Sequence, residues 1–536
     1  MALNVADLFE HAVDAVPKRT ALICGDRQLT YRELDEQANR LAKHLAANGI
    51  GPGDHVGVYA RNRIETVVTM LATYKLRAVS VAVNYRYVVE ELRYLFDNAD
   101  LVALVHEREY SHKVAAARKA APGLRHTVVI EDGSEIAYSG VDYDRALAEQ
   151  TAGRDFTPRS PDDIYIVYTG GTTGFPKGVM WRHEDVWRVF GGGIDFATGK
   201  YTADEWEQSG RAVVGTGVVR LTISPLIHGA AQWAVLGALF VGNTVVLVPA
   251  FDPGLIWNLV QQYRIAAMAI TGDAMGRPLL DAYRDGDYDV SSLRILNSHA
   301  ALFSQSVKQD FLATFPDLLI TDAIGSSESG FTGFGRVTSD SDHSQGPRVN
   351  FSAQAILIDE DGGRLSPAPG VVGRVARTGH IPLGYYNDPV KSAGIFHEID
   401  GIRYVLAGDY ARYEPDGTVT LLGRGSECIN TGGEKVFPEE VEGALKSHPD
   451  VYDALVIGLP DERYGQRVGA IVQARAGAEV DITALDAHAR DRIAGYKAPR
   501  GYWLVADMQR QATGKANYAW AKRFASEHED AVLTPR

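Results

Sequence analysis

An α/β protein of two domains is the fold predicted here: a large N-terminal domain of helix-covered sheets and a small, mobile α+β domain at the C-terminal end. Three observations predict it. Short β-branched runs alternate with stretches of helical periodicity over roughly the first four hundred residues, the pattern of βαβ units and largely parallel sheets. The 536 residues are too many for one ordinary core. Beyond Gly423-Arg424-Gly425-Ser426, a compact unit of about one hundred residues carries its own pattern.

The elements follow in chain order. Met1 to Arg19, MALNVADLFEHAVDAVPKR, is an amphipathic helix pattern containing acids, unlike a charged segment followed by an apolar leader core. His55–Tyr59 and Leu101–His106 read as strands, with apolar positions at helical spacing across Arg63–Leu76 between them. Thr127–Ile130, Ile164–Tyr168 and Ala266–Ile270 are further short β-branched runs. The longest apolar stretch, Ala230 to Phe251, is interrupted by Gln232 and by Gly242-Asn243. It predicts a buried helix, a turn and the strand Thr244–Val248, and no transmembrane segment. After the turn Glu414-Pro415-Asp416-Gly417 comes the strand Thr418–Leu422, and the expected domains are residues 1–425 and 426–536. In the second domain Pro438-Glu439-Glu440 opens a helix to Lys446, with proline at the start and acids in the first turn. Ala454–Gly458 and Ala470–Ala474 read as strands, and Ile482–Ile493 as a helix. Ligands in such a protein are expected at the domain junction.

Composition narrows the function classes. A hydrophobic fraction of 45% and a charged fraction of 23% belong to a soluble globular chain. The net charge of −14 argues against a general nucleic-acid binder while permitting an anionic ligand in a local basic pocket. Two cysteines, Cys24 and Cys428, build neither a disulfide framework nor a Cys-rich zinc site, so a cytoplasmic setting is expected.

The chemistry concentrates first in Tyr168 to Gly178, YTGGTTGFPKG. Glycines at 170, 171 and 174 let backbone N–H groups approach an anion closely, since no Cβ obstructs them. Thr169, Thr172 and Thr173 add hydroxyl donors, and Lys177 adds a charge. This is phosphate-binding chemistry but not a Walker A loop, because Pro176 precedes the lysine and Gly178 follows it. Further on, Gly325-Ser326-Ser327-Glu328 delivers a carboxylate on a Gly/Ser turn, suited to a Mg²⁺ that binds few carboxylates plus nucleotide phosphates, or else a helix start whose Ser and Glu cap it. Asp409 follows a glycine, Arg424 lies in Leu422-Gly423-Arg424, and Lys515 ends Arg510-Gln511-Ala512-Thr513-Gly514-Lys515.

Taken in order, these segments resemble the signatures of the adenylate-forming superfamily of acyl-CoA synthetases, peptide-synthetase adenylation domains and luciferases. The likeness covers nearly the whole chain. It is strongest to actinobacterial-type synthetases of steroid side-chain and long-chain fatty acids, in YTGGTTGFPKGVMWRHEDVWR, PLIHGAAQ, TGDAMGRPL, AIGSSESG and INTGGEKVFPEEVE. The resemblance implies a β-barrel-like subdomain within the large domain, and an ATP-dependent acid–CoA ligase acting through an acyl-adenylate. It gives ATP or AMP to Thr169, Gly170, Gly171, Thr172, Thr173, Gly174, Lys177, Ala300, Gly325, Ser326, Ser327, Asp409 and Arg424. By the same likeness Mg²⁺ goes to Glu328 and Thr172, and catalysis to Lys515, Glu328 and His228. CoA as co-substrate goes to Gly433, Lys497 and Arg500, with a hinge at Ser426. Ser298-His299 stand where the family has two glycines, and Ala512 where it has proline. Asp273, in Gly272-Asp273-Ala274 beside the expected acyl pocket, is read as a polar contact or a capping residue, with capping favoured. The expected partners are a small-molecule carboxylate, ATP and CoA; a homo-oligomer is left open. Competing functions are an acyl-AMP ligase that loads a carrier protein, a luciferase-like monooxygenase, and a nucleotide-binding regulator without catalysis.

Overall fold

The computed structural model describes residues 4–169, 176–195, 200–298, 301, 303–341, 346–431, 434–461, 464–511 and 514–535, with the backbone alone at 426, 430 and 435. The predicted alternation folds into two parallel arrays. In one, Val79–Ala82, His55–Tyr59, Leu101–Glu107, His126–Ile130 and Val141–Asp142 pair in that order. In the other, Thr20–Cys24, Thr244–Leu247, Val219–Thr222, Ala267–Ile270, Ile295–Ser298 and Leu319–Ser326 run parallel side by side.

Helix Ile64–Lys75 lies between the arrays, touching His55–Tyr59 and Val79–Ala82 of the first and Thr20–Cys24 of the second. All of its residues are buried, and its threonines Thr69 and Thr73 satisfy their hydroxyls on backbone carbonyls one turn back. The burial includes Lys75, whose ammonium pairs with Glu10 and, at 2.8 Å, with Asp35. The apolar stretch after His228 forms helix Gly229–Phe240, a turn at Gly242 and strand Thr244–Leu247, as its interruptions predict. Among the described residues no helix is long and apolar enough to cross a membrane.

The second array does not stop at Leu319–Ser326. Gly330–Val337, Arg348–Phe351, Val419–Arg424, Asp409–Tyr413 and Val372–Arg377 extend it with antiparallel pairings. Antiparallel neighbours need only a tight turn, whereas parallel ones need a crossover of a dozen residues or more. The turn at Glu414–Gly417 is such a connection, and it explains why helical periodicity fades in this part of the chain. A small sheet of Ile164–Thr169, Lys177–Arg182 and Gly384–Tyr385 stands beside these arrays.

The C-terminal region builds its own core from Val441, Leu445, Val456, Val468, Leu485 and Tyr502. Helix Pro438–Lys446 begins and ends where the sequence places it. Strands Val451–Asp461 and Gly465–Ala474 run well past their apolar centres. Their outer ends, Leu459–Asp461 against Gly465–Arg467, carry no alternating pattern and are held in the ladder by each other.

Candidate active site

The strands that flank the glycine-rich segment, Ile164–Thr169 and Lys177–Arg182, pair antiparallel. Thr169 ends one strand and Lys177 opens the next, directly opposite in register. A Walker A loop instead leads from a strand into a helix. Gly170, Gly171, Thr172, Thr173 and Gly174 lie outside the described residues, as do Ala300 and Gly433. The two stems point at one place. Thr169 Oγ1 lies 3.4 Å from Glu328 Oε1, and Lys177 Nζ stands 5.0 Å from the centre of the Tyr385 ring.

Glu328 sits on the tight turn between strands Leu319–Ser326 and Gly330–Val337, so the alternative of a helix start is not what forms. Glycine is required before it: a Cβ on Gly325 would fall 2.2 Å from the Gly330 carbonyl oxygen, where the ladder slips register. Within the turn Ser326 and Ser329 bond each other through amide and hydroxyl groups. The buried Trp181 indole donates to the Ser327 carbonyl at 3.0 Å, fixing the turn from outside. Trp181 stood out in the sequence only as a mark of likeness; its hydrogen bond supplies the reason.

Tyr385 was not singled out in the sequence. Its hydroxyl donates to Glu328 Oε1 at 3.2 Å, and burial, then the Glu328 charge, raise its pKa. The two-residue strand that carries it, Gly384–Tyr385, is too short to leave a periodic signal. A Gly-Tyr beside a turn is the faint trace that could have suggested it.

Asp409 and Arg424 are cross-strand partners, with Nε to Oδ1 at 3.5 Å. Burial raises the Asp409 pKa against the lowering effect of Arg424, and Glu328 adds repulsion. Arg424 is held more firmly charged, chiefly by Asp409. Lys515 arrives from the C-terminal domain. Its loop docks on the start of helix Gly272–Asp285, where a Cβ on Gly514 would sit 3.1 Å from Ala274 Cβ. Lys515 is exposed. Its pKa is nevertheless lowered, first by desolvation from the surrounding protein and then by Arg424, with Glu328 opposing. Two cations and two carboxylates from three parts of the chain thus face a common space.

The remaining expected residues have the following surroundings. His228 is half-buried and precedes helix Gly229–Phe240, its carbonyl accepting from the amides of Ala231 and Gln232 at 3.1 Å. Lys497 is tied to Glu440 by contacts of 2.6 and 2.8 Å. Arg500 is exposed, stacked 4.1 Å from the Tyr464 ring centre, so of this pair it is the cation left facing solvent. Ser426 lies in the single 3₁₀ turn Gly425–Glu427 that joins the large domain's last strand to Ile429–Thr431. Asp273 does not cap its own helix: its Oδ1 accepts from the Ser304 amide at 2.8 Å, and its Oδ2 faces Lys446.

Among the described residues no three His, Cys, Asp or Glu side chains converge as a metal cage. A divalent cation would therefore rest on the Glu328 carboxylate and on phosphate oxygens of a nucleotide. Such hard, sparse oxygen coordination suits Mg²⁺, so the donor set fits that ion.

Residues 9–386 match the model of the AMP-binding enzyme family, and residues 440–515 that of the AMP-binding enzyme C-terminal domain. The chain is 53% identical to a 3-oxocholest-4-en-26-oate–CoA ligase of Rhodococcus rhodochrous, over 97% of this chain and 96% of that one. It is equally 53% identical to a medium/long-chain-fatty-acid–CoA/3-oxocholest-4-en-26-oate–CoA ligase of Mycobacterium tuberculosis (strain CDC 1551 / Oshkosh), with coverage of 97% and 96%. The solved anthranilate CoA ligase in complex with anthranoyl-AMP shares the fold, with a TM-score of 0.85 over 98% of each chain at 22% identity.

Proposed function

This chain belongs to the AMP-binding enzyme family, and from that premise we propose that it is an ATP-dependent acyl-CoA ligase for steroid side-chain carboxylates and medium- to long-chain fatty acids. The observation that carries the proposal is the meeting of Glu328, Asp409 and Arg424 with Lys515 of the C-terminal domain. In the first half-reaction a carboxylate oxygen attacks the α-phosphorus of ATP and pyrophosphate leaves. Lys515 and Arg424 stabilise the negative charge that gathers on the phosphoryl oxygens, more in the transition state than in the ground state. Asp409 accepts hydrogen bonds from the ribose hydroxyls. Glu328 and Thr172 would hold Mg²⁺, which when bound neutralises phosphate charge. In the second half-reaction the CoA thiolate attacks the acyl carbon and AMP leaves.

The substrate range follows the names of the two relatives. A panel of carboxylates tests it: C26 and C24 steroid acids and fatty acids of graded length, each assayed for pyrophosphate release and for CoA thioester. Pyrophosphate with no thioester would favour the carrier-loading alternative. Neither product with any acid would favour a regulator.

Lys515 beside Arg424 and Glu328 supports reading this arrangement as the adenylation pose, and on that reading thioester formation needs the C-terminal domain to turn about Ser426. A 3₁₀ turn has φ close to that imposed by proline, so Ser426→Pro is expected to lock this pose. Adenylation should persist and thioester formation fail. Gly433→Leu should produce the same split by obstructing CoA, if its pantetheine passes against the backbone at Gly433, where the resemblance places the co-substrate. Both variants should accumulate acyl-AMP in the presence of CoA; acyl-CoA at the parent rate would refute the corresponding assignment.

A further inference from the structure

Behind the lysine loop, away from the nucleotide-facing groups, lies a chain of buried charges that crosses between the domains. Arg510 grips Asp453 with two contacts of 2.6 Å, and its third nitrogen donates to the Gly514 carbonyl at 3.1 Å. The loop is closed by its own backbone as well, Gln511 N to Lys515 O at 2.9 Å. Asp453 Oδ1 lies 4.0 Å from Lys446 Nζ, and that ammonium lies 3.3 Å from Asp273 Oδ2 on the large domain. Arg277 completes the contact by donating to the Lys446 carbonyl at 3.3 Å, which Ser306 Oγ also reaches at 3.3 Å.

Lys446 is 0% exposed and Asp273 4% exposed, so their attraction acts in a poorly screened setting. Desolvation opposes ionisation of Asp273, but Lys446, Arg277 and the Ser304 amide outweigh it and lower its pKa. A buried acid facing one cation from another domain is costly if that cation departs without water replacing it. The pair therefore favours one position of the small domain, the one in which Gly514 meets Ala274.

We propose that Asp273 is a positioning residue for adenylation: by receiving Lys446, and through it Asp453 and Arg510, it sets the lysine loop so that the Lys515 ammonium faces Arg424 and Glu328. The proposal rests on the reading of Lys515 as the adenylation lysine. Asp273 touches no substrate. It is needed only in the docked pose, and a turned-away C-terminal domain leaves it to water.

The test separates half-reactions in the full-length protein. The near-isosteric Asp273→Asn is expected to slow pyrophosphate release by about tenfold or more, since small misplacements of a reacting group are costly. Thioester formation from supplied acyl-adenylate should stay within about twofold of the parent. Lys446→Met should show the same split, and the double variant should be no slower than the worse single one, because both act through one contact. Equal loss in both half-reactions, no loss in adenylation, or additive losses would overturn the proposal. Lys515→Ala is the companion measurement. If it spares adenylation, the lysine reading and this proposal fall together; if it abolishes adenylation while Asp273→Asn does not, the positioning role alone fails.

Discussion

Lys515→Ala is expected to lower acyl-adenylate formation by about 10²- to 10³-fold, the loss typical of removing one placed charge donor from a developing oxyanion. Thioester formation from supplied acyl-AMP should survive, because no charge builds on phosphorus in that step. Pre-steady-state pyrophosphate release and thioester formation from synthetic acyl-AMP measure the two separately. An equal loss in both would contradict the role. A pH profile offers a second check with a defined sign. The protonated ammonium is the active form, and desolvation together with Arg424 lowers its pKa. Adenylation should therefore fall, as pH rises, at a lower pH than the ~10.4 of a free lysine. The Lys515→Arg variant, whose cation does not titrate there, should lack that limb in whatever activity it keeps.

Glu328→Gln should slow adenylation by about 10- to 100-fold and weaken its Mg²⁺ dependence, since an amide is a poor ligand for a hard cation. The fold should be unaffected. The turn that carries Glu328 is held by the Ser326–Ser329 pair and by the Trp181 indole, and the amide oxygen can still accept from Tyr385. A Mg²⁺ titration of the adenylation rate, with thermal unfolding as control, decides it. An unchanged titration and rate would leave Glu328 a purely structural turn residue.

Tyr385 and Asp273 mark where legibility ended. Helix Pro438–Lys446 could be read to the residue, because proline, early acids and apolar spacing are local signals. Helix Ile64–Lys75 was legible for the same reason, within one residue at each end of Arg63–Leu76. Strand ends such as Leu459–Asp461 were not, since their order comes from a partner strand rather than from their own side chains. Asp273 read as a cap or a polar contact, with capping favoured. Its carboxylate instead serves the Ser304 amide and a lysine from another domain, 173 positions along the chain. Lys497 read as a cation for CoA, and its contact with Glu440 was not legible in the sequence.

By itself the sequence determined the class of chemistry, because a glycine- and threonine-rich loop, a carboxylate on a tight turn and a C-terminal lysine are choices of residue type that the backbone and the phosphate both require. It also determined the alternation of elements, since burial imposes its period locally on each strand and helix. Only the tertiary structure decided which charges share a space. Asp409 meets Arg424 across a ladder, Tyr385 reaches Glu328 from a two-residue strand, and Lys446 finds Asp273 across a domain boundary. Coulomb energy and desolvation depend on distance and surroundings, not on separation along the chain. The position of Lys515 beside Arg424 and Glu328 is therefore a property of how the two domains are packed.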